Sequence, residues 1–156
     1  MRGRGRGARF LPILAELDPE DRDAVLAANR EFYRAFNQRD IATIDQLWAR
    51  TAPVVCMHPN QPPIGDRTAI VRSWQRILAT PNLPLVRCQD EVLIGRRHMA
   101  VVICREVAPS IQLIATNVFV KEDGAWRLTH HQSGNVPAKR VAPPPQPARR
   151  DRRKMH

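Results

Sequence analysis

The spacing of apolar side chains changes part-way along this chain, and that change limits the folds open to it. Up to about residue 79 they recur every three or four positions, the period of a helix with one buried face. From Leu85 to Ser133 they alternate, the period of a strand. Asp18-Pro19-Glu20-Asp21 is a helix start: a capping side chain, a proline at the first helical position and acids beside the positive end of the dipole. Val25, Ala28, Phe32 and Phe36, with Leu26 and Tyr33 beside them, predict a helix over 19–37. Asp40 caps a short second helix with Ile41, Ile44, Leu47 and Trp48 on one side, and Asp66 a third reaching Ala79 with Ile70, Val71, Trp74, Ile77 and Leu78 inward. Between them Pro53 to Pro59 reads as a strand. Leu85–Ile94, Met99–Val107, Ile111–Val120 and Trp126–Ser133 then form a meander, with Asp123-Gly124 in its last hairpin turn. Three helices with one strand among them, followed by four strands, predict an α+β fold with helices on one face of a curved, mostly antiparallel sheet.

The net charge of +10 does not belong to that fold. Arg2, Arg4, Arg6 and Arg9 at one end, and Lys139, Arg140, Arg149, Arg150, Arg152, Arg153 and Lys154 against Asp151 at the other, account for all of it. The part between is neutral. We therefore expect a basic Arg-Gly leader over 1–17, one domain over 18–137 and a proline-rich basic tail over 138–156, both ends largely disordered. The run from Phe10 to Leu17 is too short and too interrupted by Pro12 and Glu16 for a secretory signal, and no stretch is long and apolar enough to span a membrane. Cys56, Cys88 and Cys104 are odd in number, lack metal-binding spacing and sit in apolar segments. They are expected as buried thiols in a reducing, cytoplasmic setting.

Several motifs carry a family resemblance: Phe32-Tyr33 with Phe36-Asn37-Gln38-Arg39-Asp40 and Leu47-Trp48, Cys56-Met57-His58-Pro59, Gly65 with Ile70 and Ser73-Trp74, Ala115-Thr116-Asn117-Val118-Phe119, and Asp123-Gly124-Ala125-Trp126 leading to His130-His131-Gln132-Ser133-Gly134. In this order they resemble the nuclear-transport-factor-2-like superfamily and, within it, the SnoaL-like branch, over residues of about 22–137. The ending also resembles the association domain of calcium/calmodulin-dependent kinases. The resemblance implies a cone-shaped domain with a pocket between helices and sheet, usually dimeric through the sheet. It does not settle function, because the superfamily holds isomerases, dehydratases, cyclases, transport factors and oligomerisation modules.

Alternation supplies the candidates. Trp126, Leu128, His130 and Gln132 share one face of the last strand and are expected inward, with His131 opposite. The inward face of the second strand holds Val86, Cys88, Asp90, Val92 and Ile94, unless a slip of one residue turns Asp90 to solvent. Ala100, Val102, Cys104 and Glu106 share a face, as do Leu113, Ala115, Asn117 and Phe119. The candidate catalytic residues are therefore His130, His58, Asp90 and Glu106; the candidate ligand-binding residues are His58, Trp74, Asn117, His130 and Gln132. A carboxylate facing a histidine in an apolar cavity suits proton abstraction beside a carbonyl. Each residue also has a structural role open to it: His58 as a strand-end partner, His130 and Gln132 as a buried polar network, Glu106 paired on the rim with Arg105, Trp74 as core. Adjacent histidines on a strand cannot hold one ion, and no cofactor or metal is expected.

Three functions compete. One is a pocket for a small apolar or carbonyl-containing ligand, as a cofactor-free isomerase, cyclase or lyase. The second is a non-catalytic dimeric module that binds a ligand or protein. The third is sequence-blind, salt-dependent nucleic-acid binding through the tails. Apolar residues on the outward sheet face, Val101, Ile103, Ile114 and Val118, add the expectation of a homodimer.

Overall fold

A computed structural model describes residues 15–135, so the expectations for 1–14 and 136–156, the basic tails included, lie outside the described residues. The elements run β1 (Ala15–Glu16), α1 (Pro19–Gln38), α2 (Ile41–Leu47), β2 (Val55–Met57), α3 (Arg67–Leu78), β3 (Arg87–Arg96), β4 (Met99–Ala108), β5 (Ile111–Glu122) and β6 (Ala125–Asn135). Each helix is opened by the aspartate expected of it. Asp18, Asp40 and Asp66 accept from the backbone N–H of Asp21, Thr43 and Ala69, at 2.8, 3.0 and 2.7 Å. Arg39 ends α1 in the left-handed conformation, and its guanidinium donates to the carbonyls of Leu78 and Thr80 at the end of α3, both at 2.8 Å. The end of α1 is also tied to the strand entering the meander: Asn37 exchanges two hydrogen bonds of 2.8 Å with the backbone of Val86.

The six strands form one sheet in the order β1-β3-β4-β5-β6-β2. The four long strands are antiparallel; β1 joins β3 and β2 joins β6 in parallel. Residues 15–17 fall in the expected leader, yet β1 pairs with Gly95 and Arg96 and Leu17 is buried. A two-residue strand is too short to show a period. The β5–β6 turn has Asp123 and Gly124 both at positive φ, 49° and 78°, the geometry a tight two-residue hairpin needs. The helices cover the concave face, and Phe32, Ile44, Trp48, Ile70, Phe119 and Leu128 fill the space between.

Two bulges interrupt the alternation. In β3 the register shifts between Gln89 and Val92, and Asp90 takes a φ of 55°, a conformation aspartate tolerates better than most side chains. In β6 Phe119 pairs with Leu128 but Val118 pairs with His130, so Thr129 is the extra residue. Beyond each bulge the inward and outward faces exchange.

Glu122, at the end of β5, holds the loop that follows α2. Its carboxylate accepts from the backbone N–H of Arg50, Thr51 and Ala52 at 2.9, 3.1 and 2.7 Å and from the Thr51 hydroxyl at 2.8 Å. Desolvation opposes ionisation, but the N–H groups of Arg50 and Ala52 together with Thr51 overcome it and pull the carboxyl down to about 2. The folded value lies below the ordinary one, so this stabilisation is present above about pH 4.5 and is lost as pH falls toward 2. Glu122→Gln is expected to cost about 1 kcal/mol at pH 7 after allowance for solvent screening, read by urea denaturation.

Candidate functional site

The cavity between α1, α3 and the concave sheet face has a volume of about 230 Å³. Its walls are apolar: Phe32, Phe36, Trp74, Ile77, Val86 and Leu113. Polar side chains enter at a few points, Tyr33, His58, Gln61, Glu106, His131 and Ser133. An apolar enclosure with few convergent polar groups is the usual form of a small-molecule site.

The bulges decide which candidates reach it. After Thr129 the inward positions of β6 are His131 and Ser133, both buried. His130 and Gln132, expected inward, lie on the opposite face; Gln132 is exposed and His130 half-buried. Asp90 is likewise turned outward, its carboxylate bound by Arg105 at 2.7 Å, while Glu91 takes the inward direction. Glu106 is buried in the cavity wall and not on the rim with Arg105, and His58 and Trp74 line the cavity. Asn117 is fully buried one layer behind, under His131. Strand alternation passed over Tyr33, Asn29, Ser73, His131 and Ser133. Asn29 and Ser73 carried a signal, since each is a polar residue on the apolar stripe of its helix.

One chain of hydrogen bonds fixes the state of His131. Arg30 donates to Glu91 Oε2 at 3.0 Å, so that carboxylate acts as an acceptor. Asn29 Nδ2 donates to Glu91 Oε1 at 2.9 Å, which leaves Asn29 Oδ1 to accept from Asn117 Nδ2 at 2.8 Å. Asn117 Oδ1 must then accept, and its partner, His131 Nδ1 at 2.7 Å, must carry the proton. His131 Nε2 is therefore proton-free, on a ring that lines the cavity beside Phe32 and Trp74, whose centroids lie 5.1 and 5.3 Å away. Complete burial pushes His131 down to about 3, with smaller contributions from His58 and His130. It remains neutral at physiological pH.

Glu106 is shifted the other way. Burial raises its pKa, opposed by hydrogen bonds from Ser133 and Tyr33. Tyr33 donates to Glu106 Oε1 at 2.9 Å and accepts from Asn117 Nδ2 at 3.3 Å; Ser133 donates to Glu106 Oε2. Tyr33 and Asn117 thus connect the carboxyl to the imidazole. The Tyr33 hydroxyl is itself pushed well up by burial and the adjoining Glu106, so it stays a donor. The pKa of His58 is lowered too, by burial and then by Arg76. Ser73 donates to Ile70 O at 2.7 Å and so accepts from His58 Nε2 at 2.8 Å. Burial pushes the Cys56 thiol up to about 12, which removes it as a nucleophile. Among the described residues no group of three or more His, Cys, Asp and Glu is arranged to hold a metal ion.

The SnoaL-like domain pattern matches residues 25–139, more than half of the chain and all of the cavity. The chain belongs to the SnoaL-like family. Solved structures similar to this SnoaL-like chain include an NTF2-like family protein of Streptomyces avermitilis with a provisional dehydratase assignment. It is 26% identical, with 76% of this chain and 98% of that one covered and a TM-score of 0.70. A calcium/calmodulin-dependent protein kinase type II association domain of Thiobacillus denitrificans, also provisionally assigned, is 27% identical; 78% and 98% of the two chains are covered, and the TM-score is 0.63. Among curated proteins the Arabidopsis thaliana F-box protein SKIP8 is 23% identical over 113 residues, 70% of this chain. The match spans 48% of that protein's length. The fold is that of the NTF2-like superfamily, and no described helix is long and apolar enough to cross a membrane.

Proposed function

We propose that this SnoaL-like domain binds a small, largely apolar carbonyl compound and moves protons on it without a cofactor, His131 acting as base and Glu106 as acid. The observation that carries this reading is geometric: the hydrogen-bond chain from Glu91 puts the His131 proton on Nδ1 and leaves Nε2 free on the wall of an apolar cavity that Glu106 also lines. Burial keeps the imidazole proton-free and favours the proton on the carboxyl. In the reaction His131 Nε2 takes a proton from the carbon beside the carbonyl. The C–H electron pair forms the C=C bond, and the carbonyl oxygen, receiving the π pair, takes a proton from Glu106. Where the substrate carries a β,γ C=C bond the enol is a dienol. Return of the imidazolium proton to its γ carbon then shifts the double bond to the α,β position, and the enol proton goes back to Glu106 as the C=O bond re-forms, which completes an isomerisation. The same pair suits loss of water from a β-hydroxy carbonyl compound, and the Streptomyces avermitilis relative carries a provisional dehydratase assignment.

The test is hydrogen–deuterium exchange of 2-tetralone in heavy water, followed by NMR. The protein is expected to accelerate loss of the hydrogens beside the carbonyl. His131→Gln should reduce that acceleration by about 10²-fold or more while His130→Gln leaves it intact. Equal rates for wild type and His131→Gln would refute the assignment of the base.

Assembly rests on a separate observation. Val92, Ile94, Val101, Ile103, Ile114 and Val118 sit together on the outward sheet face, and Val92 and Ile114 remain 54% and 41% exposed. A sheet face open to water should be polar, so we assign this one to a twofold dimer. Light scattering at micromolar concentration should give twice the 17.8 kDa chain mass, and Ile103→Lys should halve it. A monomeric wild type would contradict the dimer. Nucleic-acid binding through the tails remains a lesser alternative; a salt-independent affinity, or none, would remove it.

A further inference from the structure

A second hollow, lined by His58, Gln61, Ser73, Arg76, Ile77 and Thr80, adjoins the cavity. Three of these residues, His58, Gln61 and Ile77, also line the cavity, so the two meet along them, and Gln61, Arg76 and Thr80 on the far side are exposed. The chemistry changes from one to the other. The inner part offers Phe32, Phe36, Trp74 and Leu113 to an apolar body. The outer part offers a guanidinium, an amide and a hydroxyl, from Arg76, Gln61 and Thr80.

Arg76 lies in the last turn of α3, where a cation is favourable at the negative end of the helix dipole. That accounts for a basic residue there, but not for its facing the hollow. Arg67, in the first turn of the same helix, is held by Asp45 at 2.9 Å. Among the described residues no carboxylate pairs with Arg76, and its charge is felt by buried His58. Among the described residues the one carboxyl lining either hollow is Glu106, in the inner part. The outer end therefore favours an anion, the inner wall favours apolar surface, and the volume of about 230 Å³ favours a small molecule.

We propose that the ligand of this cavity is an amphipathic carboxylic acid. Its apolar body is inserted toward His131 and Glu106, and its carboxylate is held at the mouth by Arg76 with Gln61 and Thr80. This rests on the reading of the cavity as a ligand site and adds the class and direction of the ligand. A guanidinium binds a carboxylate through two parallel N–H groups, so the contact orients the ligand as well as attracting it. The carboxylate end is anchored away from the acid–base pair, and the atoms that meet His131 belong to the body of the molecule.

The probes are 2-naphthoate and 2-naphthalenemethanol, which share a ring system and differ in charge, titrated into the full-length protein by calorimetry at pH 7 and low salt. The acid is expected to bind at least tenfold more tightly than the alcohol. Arg76→Gln, a change at an exposed position, should remove that preference and leave the affinity for the alcohol within twofold. Equal affinities in wild type, or a preference that survives Arg76→Gln, would overturn the carboxylate assignment while leaving the cavity a ligand site. Failure of both probes to bind at millimolar concentration would overturn the assignment together with the reading of the cavity beneath it.

Discussion

Asn117→Leu is expected to lower stability by about 3 kcal/mol and the melting temperature by roughly 10 °C, although leucine keeps the branched shape and the heavy-atom count of asparagine. Asn117 is fully buried, and its amide meets three partners at once: it donates to Asn29 and Tyr33 and accepts from His131. The substitution strands Asn29 Oδ1 and the His131 Nδ1 proton where no water reaches them, and each orphaned buried group costs about 1–3 kcal/mol. Lost hydrogen bonds dominate, and the larger methyl groups of leucine add crowding at a fully buried site. Gln132→Leu on the exposed face makes the comparison, since a surface change of this kind falls within about 0.5 kcal/mol. Urea denaturation of the two variants checks this. A cost below about 1 kcal/mol for Asn117→Leu would show that the relay from Glu91 to His131 is not closed in solution.

The second large effect is on the pH dependence of stability. His131 has a folded pKa of about 3, below its ordinary 6.5. The unfolded chain takes up a proton that the folded chain refuses, so stability is full above about pH 6.5 and falls as pH drops toward 3. The slope from this one group is about 1.4 kcal/mol per pH unit. Glu106 acts in the opposite sense: its folded pKa is raised above 4.5, so its contribution is complete below that pH and is lost as pH rises through the folded value. The loss from Glu106 begins above pH 4.5 and opposes the gain from His131 as pH rises. In His131→Phe the fall toward acid pH should flatten by that slope, leaving the part due to His58 and His130, which are lowered in the same direction. Glu106→Gln should remove the opposing loss alone. Denaturation midpoints at intervals from pH 4 to 9 provide the measurement. Parallel curves for wild type and His131→Phe would contradict burial of a neutral His131.

Both predictions depend on one extra residue in β6, and that residue marks where the sequence stops being legible. The three capping aspartates, the apolar stripes of α1 and α3 and the Asp123-Gly124 turn are local signals, and each element formed where its signal lay. Alternation placed Ala100, Val102, Cys104 and Glu106, and likewise Ala115, Asn117 and Phe119, on the inward face, because β4 and β5 pair there without interruption. A bulge leaves no such trace. In β6 the apolar pair Trp126 and Leu128 sets the phase, but after Thr129 every residue through Ser133 is polar. Nothing apolar remains to reveal that the phase has changed, and His130 took the position that belongs to His131. In β3 the sign was present, since an aspartate is among the few residues that accept positive φ and Glu91 follows it. The network behind the cavity is non-local: Asn29 and Tyr33 come from α1, Asn117 from β5 and His131 from β6. Only folding brings them within hydrogen-bond reach.

The two adjacent histidines give the most direct test, because they sit on opposite faces of one strand. A nitrogen-15 NMR titration of the imidazole rings, with His130→Gln and His131→Gln to assign the signals, reports protonation and tautomer at both positions. His131 is expected to stay neutral from pH 8 down to about 4, with the proton on Nδ1, while His130, half-buried and only lowered by burial, titrates at higher pH than its neighbour. A His131 that titrates near 6.5, or that carries its proton on Nε2, would contradict the assignment of a proton-free nitrogen to the cavity and, with it, the proposed base.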